Sequence, residues 1–145
     1  MILKDEAATR KLGRKLAGVL RPADVITLSG PLSAGKTTLV RGLLGALGHE
    51  GEVPSPSFAI VQPYEELEPP IWHVDLYRIE GPDEIDELGL DDIRRDGVLI
   101  IEWPEHAGRE LWPDALALSL ETQADGSRAL TAEVPAAWEG RWPPR

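Results

Sequence analysis

An eight-residue segment, Gly30–Thr37, constrains the fold of this chain more than any other feature. It reads Gly-Pro-Leu-Ser-Ala-Gly-Lys-Thr and matches the pattern G-x-x-x-x-G-K-[S/T]. The apolar run Val25–Ser29 before it predicts a short strand, and Thr37–Leu47 after it predicts a helix that ends at Gly48. A strand, such a loop and a helix in this order are typical of a phosphate-binding loop, so the sequence predicts a nucleotide-binding α/β domain.

The residue types in the loop suit phosphate groups and magnesium. Gly35 allows the backbone to curl so that its N–H groups converge on phosphate oxygens. The N-terminus of the following helix points further donors at the same anion. Lys36 supplies a positive charge for the β- and γ-phosphates, and the Thr37 hydroxyl is a suitable magnesium ligand.

Two acidic residues stand at the ends of predicted strands. Ile71–Asp75 and Gly97–Ile101 are apolar runs of strand length, and Glu102 follows the second. Because open α/β sheets bind ligands at the carboxyl ends of their strands, Asp75 and Glu102 are candidates to hold magnesium, directly or through water. The residues alone leave open which acid contacts the metal.

Three further positions are candidates with alternatives. Ser57, in the turn-rich stretch after the first helix, lies where the switch loops of nucleotide hydrolases offer a hydroxyl to magnesium. We interpret His73 as a partly buried strand residue rather than a catalyst. Arg78 is a candidate for phosphate contact or for a salt bridge to the nearby acids.

The remaining pattern predicts a single domain over residues 1–145, with its core at about 5–134. We expect a mostly parallel central sheet with helices on both faces and antiparallel strands at an edge. The tail after Pro135 is rich in Trp and Pro and is expected to be poorly defined. The other predicted elements are helices at Asp5–Leu20 and Pro82–Leu88, a strand at Phe58–Gln62, and a hairpin of Ala115–Glu121 with Arg128–Val134.

Composition excludes several classes of function. With 15 Lys and Arg against 25 Asp and Glu, the formal net charge is −10. Nucleic acid is held through Lys and Arg at phosphates, so this chain is a poor candidate for holding it alone. Docking onto a basic protein is compatible with the charge, and so is a role in solubility only. Because the chain has no cysteine, it has no disulfide, thiolate zinc site or cysteine nucleophile.

Other absent motifs and segments narrow the range of possible functions further. There is no asparagine, so the guanine-reading N-K-x-D motif cannot occur. A second Arg- or Lys-rich lid, expected of a small-molecule kinase, is not evident. The start of the chain lacks the basic and apolar regions of a signal peptide, and no run approaches the ~18 apolar residues of a membrane helix. We therefore expect a cytoplasmic protein without membrane contact.

Four strings together resemble the TsaE (YjeE) family, bacterial P-loop ATPases that support the threonylcarbamoyladenosine modification of tRNA. The resemblance covers roughly residues 5 to 134. His-x-Asp-Leu-Tyr-Arg and Glu-Trp-Pro, in this order after a P-loop, are its most specific parts. The strings are Leu28–Thr38, Ser55–Phe58, His73–Arg78 and Ile101–Glu105.

The resemblance implies a role for each site residue. Thr37 and Glu102, with Ser57, would hold magnesium. Asp75, acting with Lys36 and Glu102, would orient water either as a catalytic carboxylate or from behind the residues that touch the metal. Ser55, Ser57 and Trp103 would form a switch or couple the site to partners. The implied ATP-binding residues are Gly30, Ser33, Ala34, Gly35, Lys36, Thr37 and Thr38 in the loop, with Glu6, Thr9 and Arg128 nearby.

The resemblance also implies the proteins TsaD and TsaB as partners. ATP hydrolysis would reset or sustain their complex, and tRNA would be met only indirectly through it. The loop departs from the family pattern at Pro31, which removes a backbone donor, and at Ser33, which replaces a glycine. These departures motivate one alternative, a nucleotide-gated binding module with negligible hydrolysis. The other alternative is a small-molecule kinase that uses the same loop.

Overall fold

A mixed β-sheet forms the centre of the computed structural model, which describes residues 1–31, 34–53, 61–108 and 111–144. In these ranges the sheet has seven strands in the order β1-β7-β6-β2-β5-β4-β3. The strands are β1 Ile2–Leu3, β2 Val25–Ser29, β3 Val61–Tyr64, β4 Ile71–Asp75, β5 Val98–Glu102, β6 Leu116–Thr122 and β7 Arg128–Glu133. The helices are α1 Glu6–Ala17, α2 Lys36–Ala46, α3 Pro82–Glu87 and α4 Leu90–Ile93, with 3-10 turns at Pro104–His106 and Ala136–Trp138.

The centre of the sheet is parallel and its edges are antiparallel. β2 pairs in parallel with β5 and β6, and β4 pairs in parallel with β5. β3, β7 and β1 add antiparallel strands outside this centre. Every residue of β5 is buried, as its continuous apolar run predicts for a central strand. The predicted fold class is thus confirmed.

Helices α1 and α2 cover one face of the sheet and cross each other closely. A Cβ on Gly13 would collide with the carbonyl oxygen of Leu39, and a Cβ on Gly42 would collide with that of Arg10. Glycine at both crossing positions therefore lets the two helix backbones touch. α1 begins after Asp5, whose side chain accepts a hydrogen bond from the Ala8 N–H at 2.8 Å.

The other face of the sheet packs against α3 and α4. Alternate residues of β5 point to opposite faces, so Val98 and Ile100 join the core under α1 and α2, whereas Leu99 and Ile101 join the second core. Helices on both faces agree with the sequence prediction. In the described ranges, the helices are too short or too polar to cross a membrane.

The structure differs from the sequence expectations in several features. α1 ends at Ala17 rather than Leu20, since Gly18, a poor helix former, caps it. The short strand β1, which no pattern indicated, pairs with β7. The tail expected to be poorly defined contains the fully buried Trp138 and a buried Arg141, which pack back onto the domain through contacts distant in sequence.

Candidate phosphate-binding site

The ends of three parallel strands bring the predicted site residues together. β2 ends at Ser29, directly before the loop. On β5, Glu102 pairs in register with Leu28 of β2 on one side and with Asp75 of β4 on the other. Register thus places both acids at the edge of the sheet where the loop begins.

Positive φ angles at two glycines shape the loop. Gly30 has φ 138° and lies against Leu120, where a Cβ would collide with the carbonyl oxygen. Gly35 has φ 103° and precedes α2 with no side-chain cap. Because glycine has no side chain, the cap residue itself offers no acceptor to the first N–H groups of α2, as suits a site for phosphate. Thr37 and Thr38 are half-buried in the first turn of α2.

Lys36 is a buried cation at the centre of the site. Its Nζ donates a hydrogen bond to the Gly30 carbonyl oxygen at 2.7 Å and lies 3.8 Å from the centroid of the Trp103 ring. Burial lowers the pKa of Lys36, and the charges of Glu102, Asp75 and Glu105 oppose this shift. A phosphate anion would supply the negative charge at contact distance that a buried ammonium group favours.

Asp75 is a buried carboxyl with competing influences on its protonation. Burial raises the pKa of Asp75, and the neighbouring charge of Glu102 raises it further. A hydrogen bond from the Tyr77 N–H to Oδ1, at 2.8 Å, lowers the pKa, as does the charge of Lys36. A divalent cation at this position would favour the ionised form.

Glu102 contacts a histidine that the sequence pattern indicates only as a strand residue. The exposed fraction of Glu102 is 3%, and its Oε2 lies 2.6 Å from Nε2 of His73. His73 is fully buried rather than partly buried. The signal that would have found it is the two-residue spacing from Asp75, which puts both side chains on one face of the strand.

Trp103 adopts an unusual backbone conformation beside the lysine. It has φ 59° and ψ 48°, the left-handed region that non-glycine residues rarely occupy. Its ring lies 5.0 Å from that of Tyr77 and 5.7 Å from that of His106, measured between centroids. Nδ1 of His106 is 2.9 Å from the Leu76 carbonyl oxygen. These contacts hold an aromatic group against one side of Lys36.

Helix α1 and the hairpin reach the other side of the loop. A Cβ built on Gly35 would lie 3.5 Å from Nε of Arg128 and 3.6 Å from Cγ2 of Thr9. The structure therefore places Thr9 and Arg128 beside Gly35 of the loop, and their role in ATP binding stays a prediction. Glu6 is exposed and pairs with Arg10 along α1 at 3.0 Å. Ser33, Ser55, Ser57 and Phe58 lie outside the described residues, so their roles stay predictions.

The donor set at this edge fits magnesium. Thr37, Asp75 and Glu102 offer hydroxyl and carboxylate oxygens, the ligand type that magnesium prefers. Within the described ranges, no group of three or more His, Asp or Glu side chains forms a metal cage. Magnesium in nucleotide sites is typically bound by one or two carboxylates together with substrate phosphates, so a complete protein cage is not required.

A separate groove of about 340 Å³ lies on the face of the sheet opposite α1 and α2. Ser29, Ser119, Trp112 and Glu133 are among the residues that line it. Since its described lining includes no lysine, arginine or histidine, it lacks a cation for a phosphate group. The loop end of the sheet, where Lys36 lies beside two carboxylates, is the candidate site.

Comparison with known proteins matches the chain to one family. The family model described as "Threonylcarbamoyl adenosine biosynthesis protein TsaE" matches residues 3–130. The chain is 47% identical over 115 residues to the tRNA threonylcarbamoyladenosine biosynthesis protein TsaE of Streptomyces coelicolor, covering 77% of this chain and 78% of that protein. It is 36% identical over 124 residues to the protein of that name from Bacillus subtilis, covering 85% and 77%.

A solved structure is similar over most of its length. The crystal structure of Bacillus subtilis YdiB superposes with a TM-score of 0.76 at 30% sequence identity. The alignment covers 91% of this chain and 82% of that chain. The family match and the structural match therefore extend well beyond the loop motif.

Proposed function

Because the chain belongs to the TsaE family of threonylcarbamoyladenosine biosynthesis proteins, we propose that it binds ATP with magnesium and hydrolyses the ATP within the tRNA modification machinery. The observation that carries this proposal is the convergence of Lys36, Asp75 and Glu102 at the end of the phosphate loop. A buried lysine and two buried acids at that place suit a nucleotide with its metal.

Each residue has a distinct task in the proposed reaction. Lys36 and the loop amides would hold the phosphates, and Thr37 with Glu102 would hold magnesium. The metal, when bound, neutralises charge on the β- and γ-phosphates. Asp75 would orient the attacking water, because its raised pKa suits a group that accepts a hydrogen bond or a proton from water. Trp103 would keep solvent from one side of the lysine.

The proposed partners are TsaD and TsaB. The formal net charge of −10 supports binding to proteins rather than to tRNA directly, since tRNA phosphates would be repelled. ATP hydrolysis would reset or sustain the TsaB–TsaD complex, and tRNA would be contacted only through that complex. A cytoplasmic location follows from a role in tRNA modification.

Phosphate release from ATP, with and without purified TsaB–TsaD, tests this proposal. We expect slow release by the chain alone, faster release with the complex, and none with Lys36→Ala. Lys15→Ala is the matched control, because Lys15 is exposed on α1 and should not change release.

Three outcomes would contradict parts of the proposal. Release that does not change across a titration with TsaB–TsaD would reject these partners. Transfer of labelled phosphate to a metabolite rather than to water would indicate the kinase alternative. Tight ATP binding without phosphate release, even with partners, would indicate the nucleotide-gated module that Pro31 and Ser33 motivate.

A further inference from the structure

The two ring nitrogens of His73 differ in their hydrogen-bond partners. Nε2 lies 2.6 Å from Oε2 of Glu102, whereas Nδ1 is buried and has no hydrogen-bond partner among the described residues. Burying an N–H group without an acceptor costs free energy. Burying an unprotonated ring nitrogen without a donor costs less. The geometry therefore assigns the proton to Nε2, which donates to the Glu102 carboxylate.

Strand geometry fixes where this bond acts. His73 and Asp75 are two residues apart on β4, so their side chains share a face of the sheet. Ile100, the register partner of His73, is two residues from Glu102 on β5, which makes His73 and Glu102 diagonal neighbours. That face carries α2, which begins at Lys36. The histidine thus supports the acid from inside the sheet, behind the site.

We propose that His73 is a positioning residue, whose Nε2–H holds Oε2 of Glu102 and leaves the second carboxylate oxygen free to face the phosphate loop. This inference rests on the proposed function, since it assigns a supporting role at the same site. His73 touches neither phosphate nor water in this scheme and acts only through Glu102.

The charges in the site explain why Glu102 needs such a restraint. Lys36 attracts Glu102 electrostatically, and a glutamate side chain is long enough to reorient. A carboxylate that turned onto the lysine would neutralise the cation that the phosphates require. The bond from His73 opposes that movement, as second-shell hydrogen bonds do for metal-ligating carboxylates.

Three substitutions at one position separate positioning from packing. His73→Gln places an amide N–H near the position of Nε2, whereas His73→Asn is the matched control, with its donor near the position of Nδ1. His73→Leu fills the space without a donor. Thermal unfolding identifies any variant that fails to fold. If His73→Leu does not fold, the comparison of His73→Gln with His73→Asn still tests the proposal.

We expect His73→Asn and His73→Leu to lose about 10–100-fold in kcat and in the affinity for magnesium, with KM for ATP at saturating magnesium changed less. His73→Gln should stay within a few-fold of the native chain. Equal loss in the Gln and Asn variants, or no loss in any variant, would overturn the proposal.

A second measurement needs neither ATP nor partners. Nitrogen-15 NMR of the three histidines in the ligand-free chain, with His73 assigned by its loss in His73→Gln, reports the tautomer. The expected result is protonated Nε2 and bare Nδ1, and a proton on Nδ1 would overturn the proposal. If the native chain released no phosphate with TsaB–TsaD, the proposed function would fail while this readout still tested the bond.

Discussion

Two buried charge clusters lie at opposite ends of strand β2. At its amino end, the carboxylate of Asp24 faces the guanidinium group of Arg141. At its carboxyl end, Lys36, Asp75 and Glu102 meet beside the phosphate loop. Both clusters are almost completely buried, so burial alone does not distinguish them. They differ in how completely their charges are partnered.

The two charges of the amino-end cluster, on Asp24 and Arg141, are paired with each other. Nη1 and Nη2 of Arg141 donate to the two oxygens of Asp24 at 2.7 and 3.0 Å. They also donate to the carbonyl oxygens of Val19 and Ala137, and the Arg21 N–H donates to Asp24. The two charges neutralise each other and fix the tail to the domain, and of the Arg141 nitrogens Nε alone has no hydrogen-bond partner among the described residues.

The charges of the carboxyl-end cluster are not paired with one another, although Nε2 of His73 lies 2.6 Å from Oε2 of Glu102. Two carboxylates share one lysine, and among the described residues no ion pair within 4.0 Å joins Lys36 to either acid. The lysine binds a carbonyl oxygen instead. A protein retains such an arrangement where function requires it, because each unmatched buried charge is unfavourable for folding. The comparison teaches that incomplete pairing, rather than burial, identifies the site.

Breaking the amino-end cluster should give the largest effect on folding. Arg141→Met leaves Asp24 buried without its partner, and we expect a loss of about 3–5 kcal/mol in the free energy of unfolding. Urea unfolding followed by tryptophan fluorescence measures it. The control is Arg95→Met, because the Arg95–Asp92 pair is exposed at 77% and 80% and should contribute less than about 1 kcal/mol. Equal losses in both variants would contradict the comparison.

Removing the lysine of the carboxyl-end cluster should affect activity rather than stability. Lys36→Met keeps much of the aliphatic stem and deletes a charge that burial disfavours. We expect phosphate release to fall about 10²–10³-fold. The free energy of unfolding should change much less than in Arg141→Met, because burial disfavours the charge that is removed and so offsets its attraction to the two acids. A large drop in stability, comparable to that of Arg141→Met, would mean that Lys36 is a structural residue.

Asp75→Asn sharpens the comparison through the pH dependence of stability. We expect a smaller change than those from Arg141→Met and Lys36→Met. The pKa of Asp75 in the folded chain is raised above the ordinary 3.8. The unfolded chain therefore loses this proton first, and native stability falls as pH rises from below 3.8 through the folded pKa. Asn retains the oxygen that accepts from the Tyr77 N–H but cannot ionise. Unfolding at pH 3 to 7 should show the variant gaining stability relative to the native chain as pH rises.

Asp114→Asn is the control with the opposite sign. The hydrogen bond from Arg94 lowers the pKa of Asp114, so its contribution is present above pH 3.8 and is lost as pH falls through the folded pKa. This variant should lose stability relative to the native chain as pH rises. Because the Asp114 side chain is 46% exposed, the change should be modest. If the stability of both variants relative to the native chain changed in the same direction as pH rises, the raised pKa of Asp75 would be rejected.

Local patterns predicted the loop and the strand ends well. The sequence bounds of Val25–Ser29 and Ile71–Asp75 match the structure, because polar or turn-forming residues interrupt the apolar runs at those points. The sequence could place Asp75 and Glu102 at one edge of the sheet because the carboxyl ends of parallel strands meet there. The buried partners were missed for a different reason. His73 bonds a residue 29 positions away, and Arg141 pairs with one 117 positions away, which no local periodicity reports.

Calorimetric titration of ATP into the native chain and into Lys36→Met, each with magnesium and with a chelator, tests the central claim most directly. The carboxyl-end cluster should give saturable, magnesium-dependent binding in the native chain and little or none in Lys36→Met, with Arg95→Met unchanged. If folded Lys36→Met bound ATP with native affinity, the unpaired charges at the carboxyl end of β2 would not be the nucleotide site.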